Sequence, residues 1–221
     1  MPVGLLLHNV LSGRQYRVGR HLAKGGFRAV YEALHIAGGK RLPTKCVLKV
    51  ASEPQAWHRE AYFGDLVKQE SGVVRVYESF AWRREGPVPR PLYCLIQELV
   101  EGGDLYHSLQ NDPKPWPEAK ARCEIVRLLR VVTLLQSASA VHRDITPGNV
   151  FVTEDGVLKL GDFGIALHSV GEKNVRVDAF TPLLRPPPFS VVRPGRGGQR
   201  MTYTRSAACL LRCCADRLSA K

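Results

Sequence analysis

Paired cysteines at metal-ligating spacing are missing from this 221-residue sequence. Its six thiols, Cys46, Cys94, Cys123, Cys209, Cys213 and Cys214, form no Cys-x-x-Cys pair of the kind that marks a zinc site or a redox motif. No secretory signal is recognisable at the start, so the expectation is reduced thiols in a soluble cytoplasmic protein. Long apolar runs are missing too. Residues 3–7 are apolar but lack a basic flank and are far too short to cross a bilayer, so no membrane segment is expected. No internal repeat appears, which excludes a solenoid or propeller array. Acidic residues are few, 20 against 32 lysines and arginines, giving a formal charge of +12. A basic face would suit a nucleic acid, but the excess is uneven. Residues 168–221 hold ten basic and three acidic residues, and the first 167 hold 22 and 17. A basic stretch without periodicity does not form a folded nucleic-acid footprint, so no specific nucleic-acid partner is expected.

What is present is an ordinary globular composition, 44% hydrophobic and 24% charged. Short β-branched runs separated by turn residues predict strands over 16–22, 29–35 and 45–50, with 37–40 as a hairpin loop. A helix is expected over 54–68, with Trp57, Ala61 and Phe63 among its apolar positions. Strands over 73–82 and 92–99 follow, joined by a proline-rich loop at 86–91. After Gly102 and Gly103 the pattern turns helical, first over 104–110 and then over 118–139. In the longer run Ile125, Leu128, Leu129, Val132 and Leu135 recur at helical spacing, with Pro117 near the first turn. Strand-rich then helix-rich is an α+β order with two lobes. Beyond residue 167 the periodicity fades into proline, arginine and glycine.

Chemistry is concentrated in two short segments. Val141-His142-Arg143-Asp144-Ile145-Thr146-Pro147-Gly148-Asn149-Val150-Phe151 is followed by Gly161-Asp162-Phe163-Gly164, which begins twelve residues after Asn149. In order and separation these resemble the H-R-D-x-x-x-x-N catalytic loop and the D-F-G motif of the protein kinase family. Phosphoryl transfer needs positioning and charge neutralisation more than covalent chemistry. The resemblance implies Asp144 as the base that takes the proton of the attacking hydroxyl, with Asn149 and Asp162 as ligands of Mg2+ on the phosphates of ATP. It implies His142 as a structural residue packed on Phe163, Gly164 as part of the metal loop, and Arg143 as a partner for a phosphorylated loop.

Upstream, Leu22-Ala23-Lys24-Gly25-Gly26-Phe27-Arg28-Ala29-Val30-Tyr31 resembles the glycine-rich loop over the phosphates, with Ala23 and Arg28 where the family has glycines. Gly25 and Gly26 keep the freedom of backbone approach. Lys49, in Val47-Leu48-Lys49, matches the strand lysine on the α- and β-phosphates. Glu60 is its expected helical partner, with Glu53 as a rival because eleven residues is a short separation. Gln97-Glu98-Leu99-Val100-Glu101-Gly102-Gly103-Asp104 resembles the hinge, where backbone near Glu98 and Val100 would bind adenine beneath Val30 and Val47 and above Phe151. Thr146 stands where serine/threonine kinases usually carry a lysine, which removes a cation from the transferring phosphoryl group.

The resemblance therefore implies a two-lobed protein-kinase-like fold, with an antiparallel-sheet upper lobe and an incomplete helical lower lobe, acting on a protein substrate. The expected organisation is an N-terminal extension at 1–15, the upper lobe at 16–100, a partial lower lobe at 101–167 and a basic irregular tail at 168–221. No Ala-Pro-Glu motif follows, although Pro186-Pro187-Pro188 lies near its place. A shifted reading frame between about residues 180 and 200 is one expectation for that tail. The codons of Met201-Thr202 and their neighbours, read one frame over, permit Asp-Val-Tyr-Gln-Val-Gly, a segment suited to a buried helix of a kinase lower lobe.

Overall fold

Alternating apolar positions build a six-stranded antiparallel sheet. A computed structural model describes residues 1–24, 28–83, 91–111 and 116–168. Its strands are β1 (Leu6–His8), β2 (Gln15–Lys24), β3 (Arg28–Ala37), β4 (Lys40–Ala51), β5 (Val76–Arg83) and β6 (Pro91–Glu98), in the order β1-β2-β3-β4-β6-β5. Successive side chains on a strand point to opposite faces. Cys46, Leu48 and Val50 of β4 accordingly join Tyr31 and Ala33 of β3 and Cys94 and Ile96 of β6 in the main apolar core, while Val47 and Lys49 face the other way. The sheet is curled around that core. Tyr16 on β2 stacks on Phe80 of β5 with 6.2 Å between ring centroids, although β3, β4 and β6 lie between those strands in the sheet. Residues 1–15, expected as an extension outside the lobe, supply β1, whose Leu7 is fully buried against β2.

The helix α1 (Pro54–Leu66) follows β4, starts with proline in its first turn and packs on β4, β5 and β6. Its buried residues are Glu60, Phe63 and Gly64. Of the three apolar positions expected to anchor it, only Phe63 is fully buried. Trp57 and Ala61 are half-buried, Trp57 donating its indole N–H to the Cys94 carbonyl at 2.9 Å.

The remaining elements are α2 (Leu105–Asn111), α3 (Glu118–Ser137), β7 (Ala140–Val141), a single 3-10 turn at Pro147–Asn149, β8 (Val150–Val152), β9 (Leu158–Leu160) and β10 (Leu167–His168). β8 and β9 form an antiparallel hairpin, and β10 pairs with β7. The described residues divide into two compact units. The first takes in Met1–Lys68 and Val74–Val100, and the second Gln69–Val73 and the chain from Glu101.

Four expectations need correction. The strand foreseen over 45–50 starts at Lys40, which pairs with Ala37 of β3, so the hairpin loop foreseen over 37–40 shrinks to Gly38 and Gly39. The strand foreseen over 73–82 starts at Val76, because Val73 forms an isolated parallel bridge to Leu160 on β9. The helix foreseen to residue 139 ends at Ser137, and Ser139 adopts φ 54°, a left-handed conformation that stops the helix. The buried face of α3 is Ala121, Glu124, Leu128, Val131 and Leu135, not the stripe through Ile125, Leu129 and Val132. Leu129 is exposed. The face is rotated by about one residue because it buries a carboxylate that has bonding partners there. The loop 86–90, the glycines Gly25 and Gly26, and the tail beyond His168 lie outside the described residues.

Candidate active site

In the first unit, the alternation of β4 puts Lys49 on the face away from the main core, sharing it with Val47. Strand register sets Val30 of β3 and Leu95 of β6 on either side of Lys49. The Lys49 ammonium and the Glu60 carboxylate form a direct ion pair, and the two residues are only 9% and 3% exposed. Glu60 reaches the lysine because α1 begins at Pro54 and brings its buried face round after two turns. Glu53, the alternative, is exposed at the N-cap of the helix. Leu22 on β2 is 37% exposed, whereas Val47 is buried. Glu98 closes β6. Its N–H donates to the Arg75 carbonyl at 2.8 Å, and its carboxylate accepts from the Arg75 N–H at 3.1 Å. Val100 is buried just beyond.

In the second unit, the segment between β7 and β8 is a loop fixed at many points. The His142 ring is fully buried and meets Phe163 edge-on at 4.8 Å. Its Nδ1 accepts from the Asp144 N–H at 3.3 Å, so the ring proton belongs on Nε2, which donates to the Gly161 carbonyl at 3.1 Å. One imidazole thus ties the Asp144 backbone to the residue before Asp162. Arg143 takes φ 70°, and its Nε donates to the Ile165 carbonyl at 2.6 Å. Asp162 takes φ 58°. Two non-glycine residues with positive φ so close together are a stored local cost, held in place by the surrounding bonds.

Asn149 sits at the end of the 3-10 turn. Its Nδ2 donates to the Asp144 carbonyl at 2.9 Å and to Asp144 Oδ2 at 2.7 Å. With the amide nitrogen so committed, the carboxamide turns its oxygen away from Asp144, the orientation a metal ligand requires. Gly161 donates its N–H to the Asn149 carbonyl at 2.9 Å, so the two metal-ligand candidates are linked through backbone. Asp162 Oδ1 accepts from the Gly164 N–H at 3.3 Å. Thr146, half-buried, precedes the turn, and its carbonyl accepts from the Asn149 N–H at 3.0 Å. Phe151 on β8 is half-buried and bridges to Asp104.

The geometry gathers the sequence-derived residues into two groups. Lys49, Glu60, Val30 and Val47 share one face of β4 and its neighbours. Asp144, Asn149, Asp162, His142, Phe163 and Gly164 form one bonded cluster. Glu124 was passed over in the sequence because its place in the helical pattern resembles an exposed position; the i,i+3 spacing to Arg127 was the available clue. The donor set suits Mg2+. Asn149 and Asp162 offer hard oxygens, and this ion is held by one or two such ligands, with water and phosphate completing its shell, rather than by a protein cage.

Comparison with known proteins points the same way. The protein kinase domain family model matches residues 16–194, reaching past the last motif. CBL-interacting protein kinase 4 of Oryza sativa subsp. japonica is 33% identical over 159 residues, covering 69% of this chain and 33% of that protein. Serine/threonine-protein kinase DCLK1 of Rattus norvegicus is 33% identical over 158 residues, covering 69% of this chain and 34% of its own. CBL-interacting serine/threonine-protein kinase 16 of Arabidopsis thaliana is 29% identical over 154 residues, covering 69% and 32%. The chain spans about a third of the length of these curated relatives. Motifs, their bonded geometry and a family match over most of the length converge, and the chain belongs to the protein kinase family.

Proposed function

We propose that this chain transfers the γ-phosphoryl group of ATP to serine or threonine hydroxyls of a protein substrate. The observation that carries the reading is the pair of bonds from Asn149 Nδ2 to Asp144, which sets a carboxylate base and an oxygen ligand side by side. Asp144 accepts the proton of the incoming hydroxyl as its oxygen attacks phosphorus and the bond to the leaving diphosphate breaks. Asn149 and Asp162 hold Mg2+, which when bound neutralises phosphate charge. Lys49, oriented by Glu60, takes the α- and β-phosphates. Glu98 and Val100 supply backbone to adenine, and Leu22, Val30, Val47 and Phe151 supply apolar contact, with Gly25 and Gly26 covering the phosphates. His142 and Phe163 support the loop, and Arg143 is the candidate partner of a phosphorylated segment. A cytoplasmic location is part of this reading; among the described residues no helix is long and apolar enough to cross a membrane.

Thr146 favours a second reading, a nucleotide binder with slow or no turnover, because the cation usually found there is replaced by a neutral hydroxyl. A radiolabelled ATP assay of the full chain beside Asp162→Ala separates the two. Label transferred to a generic protein substrate by the wild type and lost in the variant supports the kinase. Stabilisation by nucleotide without transfer supports the binder. Equal transfer by both proteins refutes the assignment of Asp162.

A further inference from the structure

β9 is the strand that delivers Asp162, and its two edges are bonded differently. On one edge it pairs with β8, and the ladder runs on to the bond from the Gly161 N–H to the Asn149 carbonyl. Among the described residues the other edge has no strand beside it, only the isolated bridge from Val73 to Leu160. There the Leu160 N–H donates to the Gly72 carbonyl at 2.7 Å, and the Leu158 N–H donates to Glu124 Oε2 at 2.8 Å. A side-chain carboxylate thus does for Leu158 what a neighbouring strand would do.

The carboxylate comes from the middle of α3 and is 5% exposed. Its charge is met by Arg127, whose Nε donates to Oε2 at 3.0 Å and whose Nη2 donates to Oε1 at 3.4 Å. Arg127 Nη1 donates in turn to Ser71 Oγ at 2.8 Å. Ser71 adjoins Gly72, which lies so close to α3 that an added Cβ would stand 2.9 Å from Arg127 Cγ and 3.2 Å from the Arg127 carbonyl. Helix, crossing segment and strand are therefore closed into one bonded loop around β9, all within the second unit. A buried carboxylate is costly unless paired and hydrogen-bonded, and this one is satisfied from both sides.

We propose that Glu124 is a positioning residue for the metal ligands, acting through the Leu158 N–H to fix β9 and hence Asp162 and its link to Asn149. The inference rests on the metal-dependent reading above, which assigns no role to α3. Glu124 bonds the strand four residues before Asp162 and so acts on the ligand's position, as partners that orient metal ligands do when their loss weakens metal affinity by about tenfold or more.

The test uses the full chain, with Mn2+ as the probe. Mn2+ affinity is read by electron paramagnetic resonance in the presence of a non-hydrolysable ATP analogue, and amide exchange is followed at Leu158 and Leu160. In Glu124→Leu the Leu158 amide exchanges about tenfold faster, Leu160 follows in the same direction by a smaller factor, and Mn2+ binding weakens by about tenfold. Glu124→Gln keeps an acceptor oxygen and stays near the wild type in both readouts. Should Glu124→Leu not fold, Glu124→Asn, which draws the acceptor back by one methylene, replaces it with the same expectations. Unchanged Mn2+ affinity despite faster exchange at Leu158 overturns the proposal, as does a Glu124→Gln variant as weak as Glu124→Leu. Wild-type protein that binds Mn2+ and nucleotide but transfers no phosphate removes the proposed kinase activity and leaves this inference to stand on the affinities. Wild-type protein that binds no Mn2+ removes both.

Discussion

The Lys49–Glu60 pair offers the sharpest separation of stability from function. Both groups lie under less than a tenth exposure, so neither charge is well solvated. Replacing one of them removes this ion pair and leaves the other charge buried, at a cost of about 3–5 kcal/mol. For a chain of this size that lowers Tm by roughly 10 °C. Lys49→Met and Glu60→Leu singly should each show this loss. The double variant replaces the pair by two apolar side chains of similar bulk, and it should recover most of the stability, giving a coupling of about 3 kcal/mol in the cycle. Phosphoryl transfer should be lost in the two variants with methionine, which cannot neutralise phosphate, and reduced in Glu60→Leu, where Lys49 loses the carboxylate that orients it. The assays are urea unfolding followed by tryptophan fluorescence, in which Trp57 on α1 reports directly on the helix carrying Glu60, and transfer from labelled ATP. A double variant as unstable as the sum of the singles would refute the buried pair. Recovery of transfer in the double variant would refute the role of Lys49.

Three further outcomes are expected. Gly102→Ala puts a Cβ 2.2 Å from the Val152 carbonyl oxygen, a backbone atom that no rotamer change can move, so the variant should lose about 1–3 kcal/mol in thermal unfolding; an unchanged Tm would refute the contact. In the native protein a maleimide should modify Cys123 and spare Cys46 and Cys94 until unfolding, as peptide mapping would show, because burial raises both thiols and pushes Cys94 up to about 12. The same burial sets a pH dependence: below about pH 8.5 neither folded nor unfolded thiol is ionised and stability is intact, and it falls as pH rises toward 12, where only the unfolded chain ionises freely. Thr146→Lys restores a cation near the transferring group and should raise kcat by about tenfold or more, with no change if another basic residue already serves there.

Periodicity located every long element to within a few residues, because strands and helices of ten residues or so repeat their burial pattern several times. It failed where the partner lies far along the chain. Val73 was read as the start of a strand from its apolar character, but its bridge is to Leu160. Leu6, Leu7 and His8 carry too little alternation to announce β1, and Leu7 is buried only because β2 is there to receive it. The four two- and three-residue strands around the His142–Asn149 loop are too short to show a period and owe their existence to pairing, β7 with β10 and β8 with β9.

The site divides along the same line. Asp144, Asn149 and Asp162 are legible because their chemistry demands particular side chains at particular separations, whichever scaffold bears them. What holds those side chains is only partly legible: His142 and Arg143 stand in the motif, but the groups they bond, the Gly161 and Ile165 carbonyls, and both ends of the Gly161-to-Asn149 bond are backbone. Any residue presents the same N–H and C=O, so sequence leaves no mark of these bonds. Glu124 lies between the two cases. Its carboxylate is specific, but the group it serves is an anonymous amide, and a glutamate on a helix is by default a solvated one. A buried acid bonded to a backbone amide is therefore the kind of residue that a motif misses, and comparing Glu124→Leu with Glu124→Gln asks whether it holds the proposed metal ligands in place.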